Sequence, residues 1–240
     1  MQRQNRVLIA CIVFFAAFLL ITFLRPSFNV IDTAVNQWMP TIQAPALTFL
    51  AEGIAFIFDT TSLVVISIAI ASILFLKNHK PQGLLLLGAM GGEALLVTII
   101  KNLDRVGRPT NALVSDSGFS YPSGHSVAVV VFGGVLAYFA WRHWHSTRSR
   151  TGVVVGLGVL VGVVGFDRIY LSVHWLSDVI GGWLFGAFWL SFVLLVFGWL
   201  EHAGKFKSER FGVVANWLFV AALIAAVLIV LVTLLYNHIL

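Results

Sequence analysis

Long apolar runs and short polar breaks alternate along the whole chain. The runs fall at roughly 7–24, 61–76, 84–100, 126–141, 152–171, 176–199 and 212–236. Runs close to the about 20 residues that an α-helix needs to cross a bilayer predict an all-α bundle with seven candidate transmembrane helices. Between the first and second runs lies "NVIDTAVNQWMPTIQAPALTFLAEGIAFIF". It is too mixed for a clean span and predicts an interfacial segment with a helical extension. The N-terminal "MQRQNR" before an apolar run is compatible with a signal peptide, but the run is long and ends in "FLRPS" without a small-residue cleavage pattern. It reads as an uncleaved first helix. Gly152, Gly156, Gly158, Gly162 and Gly165 recur along the fifth run, a spacing that predicts close helix packing. With no low-complexity segment and no long linker, residues 1–240 read as one integral-membrane domain.

Composition fixes the solvent. The 240 residues are 59% hydrophobic and 10% charged, and the mean hydropathy is +0.95. A soluble domain carries roughly 25% charged residues, so the partner of most of this surface is a lipid bilayer. The net charge of +5 does not point to nucleic acid; its placement matters more than its sum. One cysteine, Cys11, excludes an internal disulfide.

With the N-terminus inside, the inner segments are 1–6, 77–82, 142–151 and 200–211. They hold Arg3, Arg6, Lys77, Lys80, Arg142, Arg148, Arg150, Lys205, Lys207 and Arg210, ten of the fifteen Lys and Arg. This satisfies the positive-inside rule and predicts a multi-pass protein of the plasma (inner) membrane with a cytoplasmic N-terminus. The other five cations are Arg25, Lys101, Arg105, Arg108 and Arg168. Apart from Arg25, they lie at or near the outer ends of spans three and five, where the orientation rule expects few.

Three polar clusters share that outer face: "KNLDRVGRP" with Lys101 and Arg108, "YPSGHS" with Ser123, Gly124 and His125, and "DRIYLSVHWLSD" with Arg168, His174 and Asp178. Cations, histidines and a carboxylate gathered on one membrane face suggest a site. Arginine binds an oxyanion as a two-pronged fork and lysine as a point charge, so Lys101, Arg108 and Arg168 suit a phosphate. Ser123 and Gly124 precede a run that looks helical from residue 125, and a helix start with a permissive glycine is an anion cradle. His174 and Asp178 are four apart. On one face of a helix, the carboxylate would hold one ring nitrogen and raise the nucleophilicity of the other. His125 is then free to act as an acid toward the leaving oxygen.

Lys-x6-Arg-Pro, Pro-Ser-Gly-His and Arg-x5-His-x3-Asp, in this order, resemble the three signature motifs of the type 2 phosphatidic acid phosphatase (PAP2) superfamily, over about residues 60–200. The family's third motif usually begins Ser-Arg, whereas this chain has Asp167-Arg168; that carboxylate would either point away or weaken anion binding. The resemblance implies a PAP2/haloperoxidase-like core of six spans, with 212–236 as a seventh that puts the C-terminus outside. It implies that Lys101, Arg108 and Arg168 hold the phosphoryl oxygens, with hydrogen bonds from Ser123 and Gly124. His174 would attack phosphorus and become a phosphohistidine, Asp178 would orient it, and His125 would protonate the leaving group. Three fixed cations stand in place of a metal, so neither metal nor cofactor is expected. The implied substrate is a lipid phosphate or diphosphate that enters sideways from the bilayer. Undecaprenyl diphosphate is placed slightly ahead of phosphatidylglycerol phosphate and phosphatidate.

Two rival readings are a non-catalytic lipid-phosphate binding or transport protein and a relative of the vanadate-dependent haloperoxidases. A transporter would place its polar residues near the midplane, and the haloperoxidases are soluble. Other polar residues take blander expectations. Arg105 reads as a solvated or headgroup contact, Glu93 as the structural partner of a neighbouring helix, and His143 and His145 as interfacial residues. Phe119 and Tyr121 are either interfacial aromatics or the lining of a substrate entrance.

Overall fold

The computed structural model describes residues 2–144 and 146–206, and every regular element among them is helical. The helices are α1 (Gln2–Leu24), α2 (Asn29–Trp38), α3 (Pro45–Ile57), α4 (Thr60–Leu76), α5 (Lys80–Asp104), α6 (Gly124–His143), α7 (Thr147–Tyr170) and α8 (Leu176–His202). Short 3-10 turns at Arg25–Phe28 and Met39–Thr41, each carrying a proline in its first turn, flank α2. Five helical stretches are long and apolar enough to cross a membrane: Gln4–Thr41, α5, α6, α7 and α8. The α3–α4 pair, bent by 48°, makes a sixth if it counts as one span. The first six apolar runs are thus helices of a polytopic bundle. The seventh, 212–236, lies outside the described residues, as do His145, Lys207 and Arg210.

In lipid every backbone polar group must be satisfied within its own segment, which is why apolar composition alone dictates helix here. The same solvent leaves large side chains such as Leu20, Val65, Leu84 and Val159 exposed on the bundle surface. Helix α8 is the organising element, packing against α1, α6 and α5. Gly182 and Gly186 allow the close approach to α6: a Cβ on Gly182 would lie 2.8 Å from the Ser123 carbonyl oxygen, and one on Gly186 would lie 3.1 Å from that of Val127. Trp189 on α8 donates its indole N–H to the Ala89 carbonyl on α5 at 2.8 Å.

The glycines of α7 do not behave as their spacing predicts. A Cβ on Gly165 would meet the Trp183 ring at 2.3 Å, but Gly152, Gly156, Gly158 and Gly162 have no described atom within 4 Å of that position. Their stripe turns away from the bundle, because the packed face of α7 is the one that carries Val164, Arg168 and Ile169. Glu93 also departs from expectation. It is fully buried on α5, and neither carboxyl oxygen has a hydrogen-bond partner among the described residues.

Polar contacts sort to the two ends of the bundle. At one end, the Arg142 guanidinium makes two 2.9 Å hydrogen bonds to Glu201, joining α6 to α8, and also donates to the Tyr138 hydroxyl. Gln4 and His202 meet there too. Two parallel, charge-assisted bonds at a half-buried site stabilise more than a surface pair does. Glu201→Gln should therefore lower the thermal unfolding midpoint in detergent by about 3 °C, corresponding to a loss of about 1 kcal/mol. An unchanged midpoint would show that the pair contributes nothing. At the other end, Arg25 pairs with Asp104 at 3.2 Å, and here the polar loops gather.

Candidate active site

Two connections build this end: residues 105–123 between α5 and α6, and residues 171–175 between α7 and α8. Helix α5 ends at Arg105 in left-handed conformation (φ 52°), which turns the chain back over the helix end. Arg105 is exposed and donates only to the Asn102 carbonyl, in line with its bland reading. Lys101, in the last turn of α5, donates from Nζ to the Phe119 carbonyl at 2.9 Å. Arg108 staples the same loop, donating to the carbonyls of Gly118 (3.1 Å), Ser117 (3.0 Å) and Val173 (2.8 Å). It also pairs with Asp116 at 3.0 Å. The two cations of the first motif are therefore held by carbonyl oxygens of the loop that leads into the second motif.

Arg108 Nη1 lies 3.1 Å from His174 Nε2. A guanidinium has donors and no acceptor, so Nε2 accepts and the ring proton resides on Nδ1. Nδ1 in turn faces Asp178 Oδ2 at 3.3 Å. Burial, and after it the charges of Lys101, Arg108 and Arg168, hold the His174 imidazole well below its ordinary pKa. Both the contacts and the direction of the shift favour a neutral ring with its lone pair on the nitrogen among the cations.

The His174–Asp178 contact is made, but not by a helix that contains both. His174 lies before α8, and Trp175 is the N-cap. Asp178, in the first turn, reaches back to accept the Trp175 N–H at 2.9 Å with the same oxygen that faces His174. The carboxylate thus caps the helix and aligns the histidine at once. The tight turn before α8, in which Ser172 is left-handed (φ 53°), is closed by Val173 and His174 amides on the Arg168 carbonyl at 3.2 and 3.3 Å. The Trp175 indole N–H anchors it to the Gly107 carbonyl at 2.8 Å.

In the second motif, Ser123 is the N-cap of α6 and is fully buried. Its amide is committed to the Asp178 carbonyl at 3.0 Å, and its hydroxyl accepts from Ser126 at 3.1 Å. This corrects the expected cradle: the Ser123 N–H is not open, and what remains are its hydroxyl proton and the amides that start α6 at Gly124. Tyr121 is also corrected. It is fully buried, hydrogen-bonded to Thr22 at 2.7 Å and overlain by Arg25, so it is a packing residue and lines no entrance.

His125 is less free than expected. Its Nε2 lies 3.1 Å from the Ala55 carbonyl, 3.3 Å from Arg168 Nη1 and 3.7 Å from Asp59 Oδ1. Asp167 engages Arg168 through Nε at 2.9 Å and through Nη2, with both residues buried. The unexpected carboxylate therefore grips one edge of the guanidinium and leaves Nη1 directed at His125. A cavity of about 290 Å³ opens here, lined among others by Glu52, Asp59, Asp116, His125 and Arg168.

All eight residues singled out from sequence converge on this end of the bundle. Lys101 and Arg108 meet through Phe119 and Asp116's loop, and His174 joins Arg108 to Asp178. Arg168 touches His125, and its charge reaches His174. Sequence reading missed Asp59 and Asp116, which carry no motif signal, and it missed Arg25, which was counted as an outer cation but not placed.

A sequence profile of the PAP2 superfamily matches residues 82–202, and phosphatidylglycerophosphatase B of Bacillus subtilis (strain 168) is 31% identical over 180 residues, 74% of this chain and 87% of that one. The chain belongs to the PAP2 superfamily. A second relative is the undecaprenyl-diphosphatase of Sulfolobus acidocaldarius, 38% identical over 91 residues, covering 38% of this chain and 37% of that one. The fold resembles the crystal structure of a transmembrane PAP2-type phosphatidylglycerolphosphate phosphatase from Bacillus subtilis, with a TM-score of 0.72 and 29% identity over 82% of this chain and 98% of that one. With these relatives and the helical spans, this PAP2 protein is a multi-pass membrane lipid phosphatase.

Proposed function

We propose that this PAP2 protein hydrolyses a lipid phosphate at the extracytoplasmic face of the cell membrane, without a metal, through a phosphohistidine on His174. The carrying observation is the pair of contacts on the ring: Arg108 Nη1 lies at Nε2 and Asp178 at Nδ1, an arrangement that favours a proton on Nδ1 and a lone pair on Nε2 facing the cations. Phosphoryl transfer is mostly a matter of positioning and of stabilising charge on the equatorial oxygens. Lys101, Arg108 and Arg168 supply that charge, and the hydroxyl of Ser123 and the amide of Gly124 add donors. In the substrate complex, Arg108 passes its hydrogen bond from Nε2 to a phosphoryl oxygen. The nitrogen then attacks phosphorus, the P–O bond breaks, and His125 delivers a proton to the leaving oxygen. Water, activated by the same His125, cleaves the P–N bond and restores His174.

The charge distribution supports the outward orientation. The Arg142–Glu201 end carries the cation-rich segments, and the positive-inside rule favours the cytoplasm for that end and the outer surface for the site. Among substrates, phosphatidylglycerol phosphate moves ahead of undecaprenyl diphosphate, because the phosphatidylglycerophosphatase relative aligns over 74% of this chain and the undecaprenyl-diphosphatase over 38%. Purified protein offered phosphatidylglycerol phosphate, phosphatidate and undecaprenyl diphosphate should release phosphate in the presence of EDTA, with orthovanadate as inhibitor. Loss of all activity on chelation would refute the metal-free reaction, and a failure to release phosphate from any of the three would refute the enzymatic reading for this substrate class.

A further inference from the structure

Asp32 sits on α2, far outside the stretch that matches the family, yet it is one of few buried carboxylates and is 5% exposed. Both of its oxygens go to one residue at the start of α8: Oδ1 accepts the Ser177 amide at 2.9 Å and Oδ2 accepts the Ser177 hydroxyl at 2.6 Å. The first four amides of a helix have no intrahelical partner and need acceptors from elsewhere. The N-cap of α8, Trp175, has a side chain with no acceptor and makes no cap bond. Asp178 Oδ2 takes both the Trp175 amide and the His174 Nδ1 contact, and Asp178 Oδ1 has no hydrogen-bond partner among the described residues. The Ser177 amide would remain orphaned without Asp32.

We infer that Asp32 is a positioning residue for the phosphohydrolase reaction, capping α8 in trans so that Asp178 stays committed to His174. The turn it secures is the hub of the site. His174 and Asp178 flank it, the Asp178 carbonyl receives the Ser123 amide, and the Trp175 indole fastens it to Gly107. Helix α2 follows α1 through the 3-10 turn at Arg25–Phe28 and contacts α8, so the cap is carried on an element already anchored to the bundle. Removing the cap leaves the Ser177 amide open beside the unpartnered Asp178 Oδ1, and the carboxylate that rotates to satisfy it carries Oδ2 off the Nδ1 proton. The phosphate-binding cations lie on α5, the 105–123 loop and α7, and each keeps an anchor outside this turn: Lys101 on Phe119, Arg108 on Ser117, Gly118 and Asp116, and Arg168 on Asp167. The loss therefore falls on kcat and not on KM.

This inference rests on the phosphohydrolase reading, and the test separates the two. Steady-state phosphate release from phosphatidate in mixed micelles is measured for the full chain, for Asp32→Ala, Asp32→Asn and Asp178→Ala, and for the Asp32→Ala/Asp178→Ala pair. Asp32→Ala should lower kcat about tenfold or more with KM unchanged, as expected for a misplaced nucleophile. Asp32→Asn keeps an acceptor for the amide and offers a donor to the Ser177 hydroxyl, so it should stay within about threefold of the wild type. In the Asp178→Ala background, the Asp32→Ala change should cost nothing further, because the group it acts through is gone. Equal kcat in Asp32→Ala, a rise in KM in place of the fall in kcat, or losses that multiply in the double variant would each overturn the inference while leaving the phosphatase reading intact. A wild type that releases no phosphate overturns the reading first. If Asp32→Ala does not accumulate in the membrane, Ser177→Ala decides. It removes the hydroxyl leg alone and should lower kcat about threefold in the wild-type background and not in Asp178→Ala; no effect on kcat counts against the proposal.

Discussion

His174→Ala protein should release phosphate from lipid substrate at least about ten-thousandfold more slowly than the wild type, a loss of about 5 kcal/mol of transition-state stabilisation. The reason is that His174 is asked to form the covalent bond to phosphorus, and no other residue at the site has its geometry. His125 has its own Nε2 committed between the Ala55 carbonyl and Arg168, so it cannot take over as nucleophile without giving up the contacts that place it. The rest of the site should survive the change. Lys101 and Arg108 are anchored on loop carbonyls and Arg168 is gripped by Asp167, independently of the imidazole. Lipid phosphate binding should therefore persist in His174→Ala while turnover vanishes. A rapid quench of wild-type protein with labelled substrate in alkaline detergent should trap a phosphoenzyme that is base-stable and acid-labile, and that species should be absent in the variant. Full phosphate release by His174→Ala would end the phosphohistidine proposal.

Lys101→Ala should cost about a hundred- to a thousandfold in kcat/KM, about 3–4 kcal/mol, without loss of expression. Lys101 stands on the last turn of a long, well-packed helix and makes one side-chain hydrogen bond, to Phe119. Its removal leaves Arg108 to hold the loop through the carbonyls of Ser117 and Gly118, and to tie it to the 171–175 connection through that of Val173. On the proposed mechanism, what is lost is a compact point charge aimed at the phosphoryl oxygens in a site walled by apolar helices, where a fixed charge acts more strongly than in water. Wild-type kinetics in Lys101→Ala would mean that the phosphate lies elsewhere. Failure of the variant to reach the membrane would mean that Lys101 is a structural anchor, the bland reading of a cation at a helix end.

Much of this was legible in one dimension because lipid is an exacting solvent. Apolar length decided which segments are helices, and the clustered cations supply the orientation proposed for the bundle. The three motifs named Lys101, Arg108, Ser123, Gly124, His125, Arg168, His174 and Asp178 by type and spacing. Other features were invisible to spacing. The i, i+4 interval of His174 and Asp178 predicted two residues on one helical face, but a turn and an N-cap intervene, and the contact arises from a carboxylate that reaches backward. The glycines of α7 satisfied a packing pattern and face away from the bundle, because periodicity gives a stripe and not the partner it meets.

The sequence by itself determined the solvent, the helices and the chemical inventory, since these depend on residue type and local spacing. Only the tertiary structure decided who holds whom. It set Asp116 on Arg108, Asp167 on Arg168, Asp59 beside His125 and Asp32 on Ser177. Each is a carboxylate whose worth depends on a partner or a neighbouring strand of backbone that folding alone brings within hydrogen-bond reach. In a low-dielectric bundle a buried charge is costly without such a partner, and the chain order does not say which one it will find.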